Sequence, residues 1–133
     1  MIFKEGQNFE KMYTVTETVY EAFIRVFGDN NPLHSDLSFA KSFGFKNKVM
    51  HGNILNGFLS HFVGECLPIK NVIIHSQEIH FKKPVYMGDI LNFEAQVKEI
   101  HESVNAVELD FRFKNNDQVV AKGKIQIGIL EGN

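Results

Sequence analysis

The sequence predicts an α+β domain in which an antiparallel β-sheet wraps around one long central helix, and three observations carry that prediction. An apolar helical stretch runs from Gly52 to Leu67, four strand-like segments follow it in succession, and the alternation along those segments is one-sided. Successive strands with no helix between them read as antiparallel, and one-sided alternation gives a sheet with one face on a core and the other in water. The apolar helix is the element available to cover the buried face.

A chain of 133 residues fits a single domain, residues 1–133, able to bury about two-thirds of the surface its unfolded form exposes. Apolar residues make up 44% and charged residues 23%, which excludes a disordered or fibrous class. With a formal charge of −2 and scattered basic residues, among which Lys82-Lys83 is the adjacent pair, no nucleic-acid footprint is expected. The lone Cys66 excludes an intramolecular disulfide and argues against a cysteine-based zinc site, so a reducing, cytoplasmic setting is expected. The N-terminal stretch MIFKEGQNFEK lacks a signal-peptide core, and no run approaches the roughly 18 apolar residues of a membrane span. Thirteen Phe and no Trp fit a broad apolar interior or a pocket for a greasy ligand.

In chain order, Phe9 to Thr16 reads as a short strand or extended lead-in. Thr16 is a good N-cap, Val19, Phe23, Val26 and Phe27 follow at helical spacing, and Gly28 supplies a stop, which predicts an amphipathic helix over Glu17 to Phe27. Asp29 to Asp36, DNNPLHSD, is dense in turn-forming residues and is expected to be an ordered loop without helix. Ser38 to Phe43 is expected to make one or two helical turns ended by Gly44. From Gly52, the positions Ile54, Leu55, Phe58, Leu59, Phe62, Val63 and Leu67 follow the 3, 4, 7 pattern of a largely buried helix that Pro68 ends. Strands are expected over Val72 to Phe81, Ile90 to Lys98, Val104 to Lys114 and Val119 to Ile129. Val107, Leu109, Phe111 and Phe113 alternate with Glu108, Asp110, Arg112 and Lys114, while Met87-Gly88-Asp89 and Asn115 to Gln118 are turn segments.

The chemistry-bearing residues concentrate between Gly28 and Gly52. Gly28, Asp29, Asn31, Pro32, His34, Asp36, Ala40, Phe45, His51 and Gly52 occur in the order G-D-x-N-P-x-H, acidic residue, Ala, Phe, H-G, and HFKKPVYMGDIL adds F-x-x-P-V-x-x-G-D. This pattern resembles the MaoC-like group of hot-dog-fold proteins, which includes (R)-specific enoyl-CoA hydratases. It departs from the group at Asn53, where hydratases often carry Met, and in lacking Gly after Pro68. The resemblance implies a hot-dog fold, reversible hydration or dehydration of trans-2-enoyl and (3R)-hydroxyacyl thioesters of CoA or acyl carrier protein, a homodimer, and no metal or redox cofactor.

Hydrating an enoyl thioester requires a base for water, an acid for C2 and donors for the thioester oxygen. Asp29 and His34 put two titratable groups on one short segment, and the resemblance implies that they flank a single water. Gly52 stands where a helix N-terminus presents free N–H groups, making it the oxyanion candidate. Asn31 and Ser60 are the orienting candidates, and the resemblance places Ser60 against the aspartate. His51 reads as a helix-entry or packing residue, and His61, His75, His80 and His101 lack metal-ligand spacing. Phe58, Phe62 and Phe81 could line an acyl tunnel or simply fill the core, and Lys46, Lys48, Lys82 and Lys83 fit either solvated surface or contacts to an anionic carrier. Two other readings remain: an acyl-thioester hydrolase, for which Glu65 is the only acidic residue on the central helix, and a non-catalytic acyl-binding subunit.

Overall fold

Thr16 and Gly28 bracket the first helix as their chemistry dictates. The Thr16 hydroxyl accepts the Val19 N–H at 3.1 Å, and Gly28 takes the left-handed conformation (φ 71°) that lets its N–H reach the Ile24 carbonyl. The computed structural model describes residues 1–132. In chain order it comprises β1 (Asn8–Thr14), α1 (Glu17–Phe27), α2 (Pro32–Ser35), α3 (Leu37–Ser42), α4 (Asn53–His61), β2 (Val72–Phe81), β3 (Ile90–His101), β4 (Ala106–Asn115) and β5 (Gln118–Ile129). The strands form one sheet in the order β1-β3-β4-β5-β2, and every neighbouring pair is antiparallel.

The core lies between the sheet and α4. Leu91, Phe93 and Val97 of β3 and Val107, Leu109 and Phe113 of β4 point at Ile54, Leu55 and Leu59 of α4 and at Phe62 beyond its end, all buried. Phe93 is the hub, with ring centroids 4.7 Å from Phe62 and 5.0 Å from Phe113. The charged face of β4 carries an ion-pair cluster, with Arg112 at 2.7 Å and Lys114 at 2.9 Å from the Glu94 carboxylate.

Three local expectations change. Asp29 to Asp36 is not a helix-free loop: Pro32–Ser35 forms a helical turn, because Pro32 falls at the first helical position, where its missing N–H costs nothing and its fixed φ suits the helix. The stretch Gly52 to Leu67 is α-helical only as far as His61 and continues over Phe62–Cys66 as a π-helical turn, whose Gly64 and Glu65 carbonyls accept from Lys70 Nζ at 3.3 and 3.1 Å. β3 runs on to His101 because a bulge between Val97 and Glu99 resets the side-chain alternation that defines a strand in sequence. The hairpin between β4 and β5 forms as expected, with Asn116 and Asp117 both at positive φ.

Candidate active site

The site is assembled where α2 meets the entry to α4. Gly28 turns the chain out of α1, and the Asp29 carboxylate then accepts the Asn31 N–H at 3.1 Å. Asn31 in turn caps α2, its Oδ1 accepting the Leu33 N–H at 3.0 Å. Tyr20 of α1 is buried and donates its hydroxyl to the His34 carbonyl at 2.7 Å, tying the helical turn to the body of the protein. Burial, and secondarily Glu21, pushes that phenol above its ordinary pKa, so it stays a donor.

His34 is held by its Nδ1–H, which donates to the Val49 carbonyl at 2.7 Å. A carbonyl partner at Nδ1 fixes the neutral tautomer, leaving the Nε2 lone pair free. That nitrogen faces Asp29 Oδ2 across 3.8 Å, too long for a direct hydrogen bond and short enough for one small group to touch both. The His34 side chain is 16% exposed and that of Asp29 49%, so the pair opens to solvent from the aspartate side.

His51 is more than a packing residue. It is 4% exposed, its Nε2–H donates to the Asp29 backbone carbonyl at 2.9 Å, and its ring lies against that of His34 with centroids 3.9 Å apart. The rings of Phe23 and Tyr20 also pack near it, with centroids at 4.6 and 5.9 Å. His51 therefore touches both members of the pair, while its buried Nδ1 has no protein partner among the described residues. The sequence signal was its position beside Gly52 in the H-G pair.

Of the remaining candidates, Gly52 sits at the head of α4, exposed, with its N–H engaged by no acceptor among the described residues. A Cβ there would come within 3.0 Å of the Phe81 ring, which accounts for the glycine on steric grounds as well. Phe81, one of the tunnel candidates, thus covers the helix entry, whereas Phe62 is core and Phe58 stacks on Tyr13 at 4.7 Å. Ser60 is exposed on α4 and makes no hydrogen bond to Asp29 among the described residues, so the structure does not bring it to the pair.

Among the described residues two groups offer three ligand-type atoms within 4.8 Å of one another, Asp29 with His34 and His51, and Glu99 with His101 and Glu108. In the first group each imidazole has one nitrogen committed to a backbone carbonyl and the rings lie against each other at a 30° tilt, an arrangement that suits a hydrogen-bonded pair better than converging metal ligands. The second lies on the exposed outer surface.

Residues 2–116 match the family model described as MaoC like domain. An (R)-specific enoyl-CoA hydratase of Aeromonas caviae is 37% identical over 81 residues, 61% of this chain and 60% of the relative. A mitochondrial 3-hydroxyacyl-[acyl-carrier-protein] dehydratase of Arabidopsis thaliana is 31% identical over 103 residues, 75% of this chain and 61% of the relative. The chain thus spans about 60% of the length of these curated relatives. The solved structure of an (R)-hydratase from A. caviae superposes with a TM-score of 0.89 at 27% identity, covering 97% of this chain and 98% of that one. The expected hot-dog architecture is thereby shown.

Proposed function

Because the chain belongs to the MaoC-like domain family, we propose that it is a hydro-lyase that reversibly hydrates trans-2-enoyl thioesters to (3R)-hydroxyacyl thioesters, carried on CoA or acyl carrier protein. The observation that carries this reading is the Asp29 and His34 pair, whose open atoms face each other across 3.8 Å with the imidazole lone pair directed into the gap. A water bound between them donates one hydrogen to the Asp29 carboxylate and the other to His34 Nε2. As its oxygen bonds to C3, His34 takes a proton and returns it to C2, so that the C2=C3 π bond is exchanged for one C–O and one C–H bond on a single face. The Gly52 N–H, at the positive end of α4, receives the thioester oxygen as charge builds on it. Asn31 orients the aspartate.

A hydrolase reading asks for a carboxylate on the central helix. Glu65 lies in the π-helical turn, exposed and paired with Lys70 at 3.3 Å, which favours hydration. Two copies pairing along the exposed edge of β2 would form the homodimer, and a cytoplasmic setting accords with the lone cysteine and with the bacterial relative. Among the described residues no helix is long and apolar enough to cross a membrane.

The test follows loss of the conjugated enoyl thioester with crotonyl-CoA, trans-2-decenoyl-CoA and a carrier-linked enoyl substrate. Hydration of at least one is expected. Inactivity toward all of them, or thioester cleavage in place of hydration, overturns the reading and favours the acyl-binding or hydrolase alternative.

A further inference from the structure

Asn53 is the open end of a directional chain of amides. Gln77 Nε2 donates to Asn56 Oδ1 at 3.0 Å, and Asn56 Nδ2 donates to Asn53 Oδ1 at 2.8 Å. With both asparagine oxygens engaged, each amide has one orientation, and the group left over is the Asn53 Nδ2 donor, which meets no acceptor among the described residues. Gln77 stands opposite Ile125, a buried residue of β5, and shares the helix-facing side of β2 with Ile79. A glutamine in that apolar row contributes through its partner on α4.

We infer that Asn53 Nδ2 is a second donor to the thioester oxygen, beside the Gly52 N–H, and that Asn56 and Gln77 are positioning residues that hold it as a donor. This assignment rests on the hydratase reading. Asn53 is the first residue of α4, and side chains on a helix tilt toward its N-terminus, the direction in which the first N–H groups also look. The N–H groups of Gly52 and Asn53 have no acceptor among the described residues. Asn53 also shares with Asp29 the lining of the groove between α1 and α4, so its amide and the carboxylate open onto one space. As the water oxygen bonds to C3, the C2=C3 electron pair shifts toward C2 and the thioester carbonyl, whose oxygen carries negative charge until C2 takes its proton. An amide donor already fixed in orientation stabilises that charge without reorganising.

A purely structural Asn53 would only start α4. Asn53→Asp separates the two roles, because it keeps the shape of the side chain and suits a helix N-terminus while replacing the donor with a carboxylate. In steady-state hydration of crotonyl-CoA, kcat is expected to fall about tenfold for Asn53→Leu and about 100-fold for Asn53→Asp, with KM changed less than about threefold. The chromophoric thioester 4-(dimethylamino)cinnamoyl-CoA reads the contact without turnover, since its absorption band moves to the red as donors polarise its carbonyl. The red shift on binding wild type is expected to shrink in Asn53→Leu and also in Gln77→Leu, which leaves Asn53 in place. Turnover of Asn53→Asp equal to wild type, or a red shift equal in wild type and Asn53→Leu, overturns the assignment. A red shift unchanged in Gln77→Leu alone overturns the positioning role of the amide chain. If wild type shifts the probe in an Asn53-dependent way but hydrates no enoyl thioester, the donor stands and the hydratase reading falls. Hydration at the wild-type rate in both Asn53 variants gives the reverse.

Discussion

At the scale of single residues, the candidate site depends on carbonyl contacts that set which nitrogen of each histidine is free. Val49 fixes His34 and Asp29 fixes His51, so the ring that faces the carboxylate does so with its lone pair. His51→Ala should lower kcat about 10- to 100-fold with a smaller change in KM, because Asp29 would lose the donor that holds its backbone carbonyl and His34 the ring beside it. His51→Phe, which restores the ring without the donor, separates the two contributions in the same steady-state assay. Asp29, Asn31 and His34 were legible in sequence because their spacing is short and their mutual contacts are local. The contacts of His51 join residues 22 positions apart, and no spacing rule in the sequence reports them. For Ser60 the resemblance implied a contact to the aspartate that this structure does not make.

At the scale of elements, side-chain alternation made the strands legible, and errors fall where backbone geometry breaks the alternation. The bulge at Val97 and Glu99 concealed the end of β3, and Pro32, read as a turn residue, starts α2. Close strand approach at Gly123 was equally hidden, since a Cβ there would lie 1.9 Å from the Glu78 carbonyl oxygen on β2. Gly123→Ala should destabilise the fold by more than about 2 kcal/mol in urea titration, through loss of β2–β5 pairing. The Glu94 carboxylate is held below its ordinary pKa by hydrogen bonds from Lys114 and Arg112. A carboxylate depressed in the folded state stabilises it at pH values above the unfolded pKa, and this contribution fades as the pH falls through the folded value. Glu94→Gln should therefore cost about 1 kcal/mol at neutral pH, and the difference from wild type should shrink once the pH drops below the carboxylate range. Parallel denaturation curves at the two pH values check this.

At the scale of the whole molecule, the sheet ends on β2, a ten-residue strand exposed along most of its length, with Ile73 and Phe81 each 49% exposed. A long unpaired edge is a template for a second chain. Ile73→Lys should shift the protein toward monomer in sedimentation or light scattering, and retention of a dimer would place the interface elsewhere. The α+β class was legible because one apolar helix and four alternating strands allow few other arrangements, whereas the groove between α1 and α4 depends on how two helices cross, which periodicity leaves open. The central claim is that Asp29 and His34 share one water. Its most direct test is the hydration rate of Asp29→Asn, an isosteric change that keeps the shape of the side chain and removes its charge. A fall of about 10² to 10⁴ in kcat, with the fold and acyl-CoA binding retained, is the predicted result; turnover equal to wild type would contradict it.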